Sequence, residues 1–376
     1  MSEDSRRQLR RIVVKVGTRL VARGDGTADD EFMADLAGQI ARVREGGCDV
    51  LLVTSGAVHL GRRLMFGDAG KVLRPADRPA AAAAGQPELM RAWGHAFASH
   101  ELKTAQVLLT QDDIVDRQRC INLRGTLDAL LGHGVVPILN ENDSVSGVDT
   151  TFGENDNLAA MVAVALAPSD LLIFLQDEEG LMTADPRRDA RAQLISRVEP
   201  DEDLTRYAEG AGGPESLGGM VRKLEAARRA TDCGIRVVIA SGKCQGVVER
   251  LVTGEELGTR LLARPRIPSR KGWLTVHGRP TGTIVVDDGA RRALLHRDGS
   301  SLLPSGIVDV LGHFQAGDLV TIKDTQGREI ARGLTNYSHT ETLLIKGQHS
   351  SRISELLGRA GSDEVVHRDD MVVLPE

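Results

Sequence analysis

Apolar positions in the first two-thirds of the chain follow two rhythms. Short runs rich in valine, isoleucine and leucine fall at residues 11–16, 50–54, 104–110, 135–139, 170–175 and 235–240. Longer amphipathic stretches lie between them, at residues 29–45, 79–99, 118–133, 155–167, 220–233 and 245–252. Several short runs are apolar at every position, as in Ile12-Val13-Val14 and Leu171-Leu172-Ile173-Phe174-Leu175. A strand with one wet face would alternate instead, so this pattern predicts a mainly parallel sheet covered by helices on both sides. Residues 1–262 are therefore expected to form an α/β domain, a three-layer αβα sandwich. The rhythm breaks at residues 263–279, where Pro265 and Pro268 stand among basic residues, and this segment reads as a linker. From residue 280 to 376 the pattern predicts a small β-rich domain with strands at 283–286, 319–323 and 343–345. Gly317-Asp318 and Gln326-Gly327 are its expected turns.

Composition narrows the functional classes. The 376 residues are 41% hydrophobic and 27% charged, which suits a globular protein, and only 3% aromatic, so the core must be aliphatic and alanine-filled. A net charge of −6 argues against general nucleic-acid binding. Residues 280–376 carry ten Lys/Arg against fourteen Asp/Glu, the wrong sign for phosphate-driven binding by that domain. The longest uninterrupted apolar run, residues 158–167, is far short of the ~20 residues that span a bilayer. The first residues lack the apolar core of a secretory signal, and a cytoplasmic protein is expected. Cys48, Cys120, Cys233 and Cys244 are scattered, without the spacing of a zinc site or a disulfide framework.

Polar residues that interrupt apolar runs carry the candidate chemistry. Asn140-Glu141-Asn142-Asp143 closes one strand, and Gly153-Glu154-Asn155-Asp156-Asn157 opens the helical run that follows. Carboxylates and amides at an apolar helix start are costly unless they grip something polar. Amides donate and accept, and helix N-termini favour anions, so the pair suits a small zwitterion beside a magnesium nucleotide. Asn and Asp are also ordinary capping and turn residues. Lys15 sits in the apolar run 12–16, where a buried ammonium needs an anion; the alternative is a side chain that runs from the strand end to water. Gly17-Thr18, Ser55-Gly56 and Ser216-Leu217-Gly218-Gly219-Met220 read as turns at which a backbone could approach a phosphate, the last opening a helix with Lys223. Ligands of open parallel sheets gather at the strands' carboxyl ends, so these turns are expected to converge. No Gly-x-x-x-x-Gly-Lys-Ser/Thr loop and no Gly-x-Gly-x-x-Gly after the first strand is present. His367-Arg368-Asp369 lacks every other part of a protein-kinase signature.

In order along the chain, Val14-Lys15-Val16-Gly17-Thr18, Val53-Thr54-Ser55-Gly56-Ala57, the two Asn/acid clusters, Gly180-Leu181-Met182-Thr183-Ala184-Asp185-Pro186 and Gly218-Gly219-Met220-Val221-Arg222-Lys223 resemble the amino acid kinase family. Within it they are similar to the branch that phosphorylates glutamate. The closing segment, with Gly299 to Gly306 and Val366 to Met371, looks like a PUA domain. The resemblance implies transfer of a phosphoryl group from ATP, with Mg²⁺, to the γ-carboxylate of L-glutamate, at the start of proline biosynthesis. It implies that Lys15 and Lys223 neutralise the transferring group and that Asp156 orients both. Ser55, Asp143 and Asn155 would hold glutamate, supported by Asn140 and Glu154. Gln176, Asp177 and the stretch Leu217, Gly218, Gly219, Met220, Val221, Arg222 and Lys223 would line the nucleotide site, with no metal ligand assigned to the protein. Proline feedback inhibition and a homo-oligomer, dimer or tetramer, are further implications. The chain departs from the usual pattern at Gln176, where Thr or Ser is common, at Ser216-Leu217, where Gly-Thr is common, and at Met182, where Tyr is common. Kinases of other acidic amino acids, and an RNA-binding protein acting through the closing domain, are the alternatives.

Overall fold

The computed structural model describes residues 9–68, 70–146, 155–184, 189, 191–204, 207, 214–264, 280–296 and 300–374. The chain divides into two compact units, Met1–Arg266 and Ile267–Glu376.

The first unit is built on strands β1 (Arg11–Val16), β2 (Asp49–Thr54), β3 (Thr104–Leu109), β4 (Val136–Glu141), β5 (Leu171–Gln176), the short β6 (Leu181–Met182), β7 (Leu194–Ile195) and β8 (Arg197–Val198), then β9 (Arg236–Ser241) and β10 (Thr259–Leu261). Eight of them form one sheet in the order β3-β4-β2-β1-β5-β9-β10-β8. All neighbours are parallel except β9 and β10, and β6 pairs with β7 in a separate hairpin. Val14 of β1 lies between Leu52 of β2 and Ile173 of β5, all fully buried. That environment explains why these runs do not alternate: both faces are covered, so every position is selected for apolarity. The six expected strands of this unit are present within about one or two residues at each end, the usual scatter of element boundaries.

Two helices escape the simple reading. Ala57–Phe66 follows β2 directly through Gly56, whose φ of +117° is open to glycine alone at little cost. It packs on Asp77–Ala98 through glycines: a Cβ at Gly61 would stand 1.7 Å from the Ala81 carbonyl oxygen, and one at Gly85 2.0 Å from that of Ala57. The expected helix 155–167 begins as an α-helix, Asn155–Met161, but ends as a π-helix, Val162–Leu166, entirely buried. The stretch Ser216 to Met220 is no turn: it lies inside the helix Pro214–Asp232. Its two glycines suggested a break, but the Arg, Lys, Glu and Ala residues that follow favour helix strongly enough to carry it.

The second unit contains β11 (Gly282–Val286), β12 (Ile307–Gly312), β13 (Leu319–Asp324), β14 (Glu329–Thr335) and β15 (Val366–Val373) in the order β12-β11-β13-β14-β15. Its own core gathers Ile284, Val286, Ile322, Tyr337 and Ile345. The strand expected at 343–345 is instead the end of the helix His339–Ile345. Ser338 and Glu341 form a capping box at its start, and that local signal outweighs a three-residue apolar run. Turns stand at Gly317 and Gly327, with φ of +93° and +82°. Most of the expected linker, residues 265–279, lies outside the described residues.

Candidate active site

The carboxyl ends of the central strands surround a cavity of about 360 Å³, lined among others by Lys15, Ser55, Asn140, Asp143, Asn155 and Asp156. Lys15 is the fifth residue of β1, in register with Val53 and Phe174, so the sheet itself fixes its backbone. Its ammonium does not run out to water. Nζ lies 2.6 Å from Asp156 Oδ1, and the two residues are 8% and 4% exposed. Burial pushes the Asp156 carboxyl up, but the ammonium groups of Lys15 and Lys223 outweigh it and hold the carboxyl below its ordinary value. Asp156 is therefore ionised and lies within electrostatic reach of both lysines.

Lys223 arrives from the helix Pro214–Asp232, which packs against Asn155–Met161; Arg229 of the former donates to Asn157 Oδ1 of the latter at 2.8 Å. Its Nζ donates to Gln176 Oε1, at the end of β5, at 2.7 Å. Beside Gln176, Asp177 pairs with Lys243 at 3.5 Å and its carbonyl accepts from the Ser241 hydroxyl at 3.3 Å. Gly219, Met220, Val221 and Arg222 lie within this helix, while the side chains of residues 214–218, Leu217 among them, and the whole of Glu154 lie outside the described residues.

The Asn/acid clusters form one hydrogen-bonded wall. Asn155 donates from Nδ2 to Ser55 Oγ at 3.0 Å, and its Oδ1 accepts from the Glu141 backbone at 3.2 Å. Asn140 donates to Gln86 Oε1 at 2.9 Å. These bonds lock β2, β4 and the start of Asn155–Met161 together, so the cluster is more than a set of caps. Burial raises the carboxyl pKa of Glu141, with the Asp143 charge adding to it, and burial also raises that of Asp143; Arg78 counters both.

Arg62, Arg78 and His59 also line the cavity without any mark in the sequence, and so does Glu141, which the sequence marks only as part of the first Asn/acid cluster. Glu141 had a usable signal, since it ends the fully buried strand β4 as Lys15 interrupts β1. Arg62 and Arg78 had none, because an arginine on a helix usually faces water. Among the described residues, no cluster of three His, Cys, Asp or Glu side chains could hold a metal ion, and no helix is long and apolar enough to cross a membrane.

The cavity thus sets the Lys15 ammonium and the ionised Asp156 carboxylate in one lining with the carboxyls of Glu141 and Asp143 and the Arg78 guanidinium, and Lys223 lies within electrostatic reach of Asp156. Such a site can hold a small charged molecule and stabilise negative charge that moves. Residues 10–241 match the amino acid kinase family, and residues 282–357 match the PUA domain. A protein of Nitrosomonas eutropha described as glutamate 5-kinase is 45% identical over 379 residues, covering 100% of each chain. Proteins of the same description from Pelobacter propionicus and Paraburkholderia xenovorans are 42% and 44% identical, covering 100% of both chains and 97% and 98% of the two chains respectively. The chain belongs to the amino acid kinase family.

Proposed function

We propose that the protein phosphorylates the γ-carboxylate of L-glutamate with ATP, giving γ-glutamyl phosphate and ADP in the first step of proline biosynthesis. The observation that carries this reading is the buried pair of Lys15 and Asp156, 2.6 Å apart, in the wall of a cavity that also holds Ser55, Asn155 and Asp143. Full-length similarity to proteins described as glutamate 5-kinase supports the choice of substrate.

The chemistry asks little of a base. A carboxylate oxygen is already ionised and attacks the γ-phosphorus directly, while the bond to the β-phosphate oxygen breaks and ADP leaves with its electrons. Negative charge on the phosphoryl oxygens is the main obstacle. Lys15 and Lys223 supply two positive charges for it, and Asp156 aims Lys15. Ser55, Asn155 and Asn140 would hold the substrate's polar groups, and the carboxyls of buried Glu141 and half-buried Asp143 would receive its ammonium group. That ammonium offsets the cost of ionising two carboxyls in one pocket. Glu154, Asp177 and residues 217–223 are proposed to complete the glutamate and nucleotide contacts. Mg²⁺ would enter with ATP and add positive charge beside the phosphates, since Asp156 is paired with Lys15 and no cluster of three His, Cys, Asp or Glu stands among the described residues. A cytoplasmic homo-oligomer inhibited by proline fits the same reading.

The test is an assay with ATP and Mg²⁺ across a panel of acidic amino acids, with hydroxylamine as the trap. Glutamate is expected to give the γ-hydroxamate, and aspartate or N-acetylglutamate little. Turnover of ATP without hydroxamate from any of them would remove the proposal.

A further inference from the structure

Gln176 is the last residue of β5 and is only 7% exposed. Burying an amide is costly unless both its ends are used. Here both are. Oε1 accepts from Lys223 Nζ at 2.7 Å, and Nε2 faces the Gly180 carbonyl at 3.4 Å. The chemistry permits only this orientation, since an ammonium only donates and a carbonyl only accepts.

The support behind the amide is rigid. Gly180 has no room for a side chain: a Cβ there would stand 2.6 Å from Thr259 Oγ1 and 2.8 Å from Leu194. The next residue, Leu181, donates its N–H to Thr259 Oγ1 at 2.8 Å, and that hydroxyl donates to the Ile195 carbonyl at 2.6 Å. On the main chain, the Gln176 carbonyl accepts from Gly242 N at 2.8 Å, and β9 pairs with Gln176 through Ser241. A continuous set of hydrogen bonds therefore runs from β10 through the Gly180 turn to the Lys223 ammonium.

We propose that Gln176 is the positioning residue of Lys223: a neutral acceptor, braced from behind, that aims this ammonium at the transferring phosphoryl group without cancelling its charge. The inference rests on the carboxylate-kinase reading above. Asp156 pairs directly with Lys15 and is within electrostatic reach of Lys223, while Gln176 gives Lys223 an acceptor that adds no charge of its own. A carboxylate at 176 would hold Lys223 equally close but neutralise it, which separates aiming from charge.

The experiment is a double-mutant cycle on the full-length enzyme, with glutamate hydroxamate as the readout. Gln176→Met keeps the side chain's length and loses the acceptor. It is expected to lower kcat about tenfold, within the coupling range of contacting residues, with KM for glutamate unchanged. In a Lys223→Ala background the same substitution should change kcat less than about twofold, because the group it aims is gone. Gln176→Glu should lower kcat further than Gln176→Met. If Gln176→Met fails to fold by thermal melting, Gln176→Asn completes the cycle. Wild-type kcat in Gln176→Met, or an equal loss with and without Lys223, would overturn the assignment. Wild-type hydroxamate from glutamate in the same assay keeps that failure distinct from failure of the kinase reading.

Discussion

Replacing Asp156 with asparagine leaves the Lys15 ammonium in place with its counter-charge removed. The pair is 2.6 Å apart and both partners are buried, so the stranded charge cannot recover its hydration without moving. Breaking a buried pair from one side costs about 3–5 kcal/mol. For domains of about 150–250 residues, each kcal/mol moves Tm by about 2–4 °C, so Asp156→Asn should melt about 6–20 °C below wild type. The sign of the pH dependence follows from the lowered pKa of Asp156. Its contribution is present above the ordinary value of 3.8 and is lost as pH falls through the lower folded value. The deficit should therefore be full at pH 7 and vanish only in strong acid. The double variant Lys15→Met with Asp156→Leu removes both charges and should regain most of the lost stability, as apolar replacements of buried pairs do. Activity should not return. Asp156→Asn is expected to lower kcat about 10²-fold through misplacement of the lysines, and the double variant at least as much. Calorimetry without ligands and hydroxamate assays of the three variants test this together. A melting point for Asp156→Asn within about 2 °C of wild type would refute the reasoning, since that is under ~1 kcal/mol.

Other substitutions follow from the same geometry. Glu141→Gln and Asp143→Asn should each raise Tm at pH 7 without glutamate while raising KM for glutamate. Burial raises both pKa values, so native stability is complete below the ordinary 4.5 and 3.8 and is lost as pH rises through the folded values. A wild-type Tm unchanged between about pH 4 and about pH 7 would contradict this. Arg78→Met removes the cation opposite those carboxyls and is expected to raise KM for glutamate about tenfold, a typical loss for one charged contact, with kcat less affected. Gly61→Ala would drive a Cβ into the Ala81 carbonyl oxygen, and the overpacked helix pair should lose about 1–3 kcal/mol by denaturant titration.

The sheet was legible in the sequence because a strand covered on both faces shows as an unbroken apolar run, and β1, β2 and β5 are such strands. Lys15 and the Asn/acid clusters were legible for the converse reason, as polar groups where burial makes them expensive. The Ala57–Phe66 helix was hidden because it starts directly after Ser55-Gly56 with His59 and two arginines on its face, so its apolar stripe is narrow. The Ser216–Met220 stretch misled because glycine marks turns on average, while neighbouring residues decide each case. The second half of the cavity was illegible. Arg62 and Arg78 reach it from helices that pack on each other through Gly61 and Gly85, and nothing local in either segment reports that meeting.

In the proposed reaction the γ-carboxylate oxygen itself attacks ATP. This step is tested by glutamate labelled with ¹⁸O in that carboxylate, incubated with enzyme, ATP and Mg²⁺. γ-Glutamyl phosphate closes on its own α-amino group, breaking the carbon–oxygen bond and releasing phosphate that keeps the bridging atom. One ¹⁸O is expected in each phosphate released. Unlabelled phosphate, formed by water attacking ATP, would contradict it.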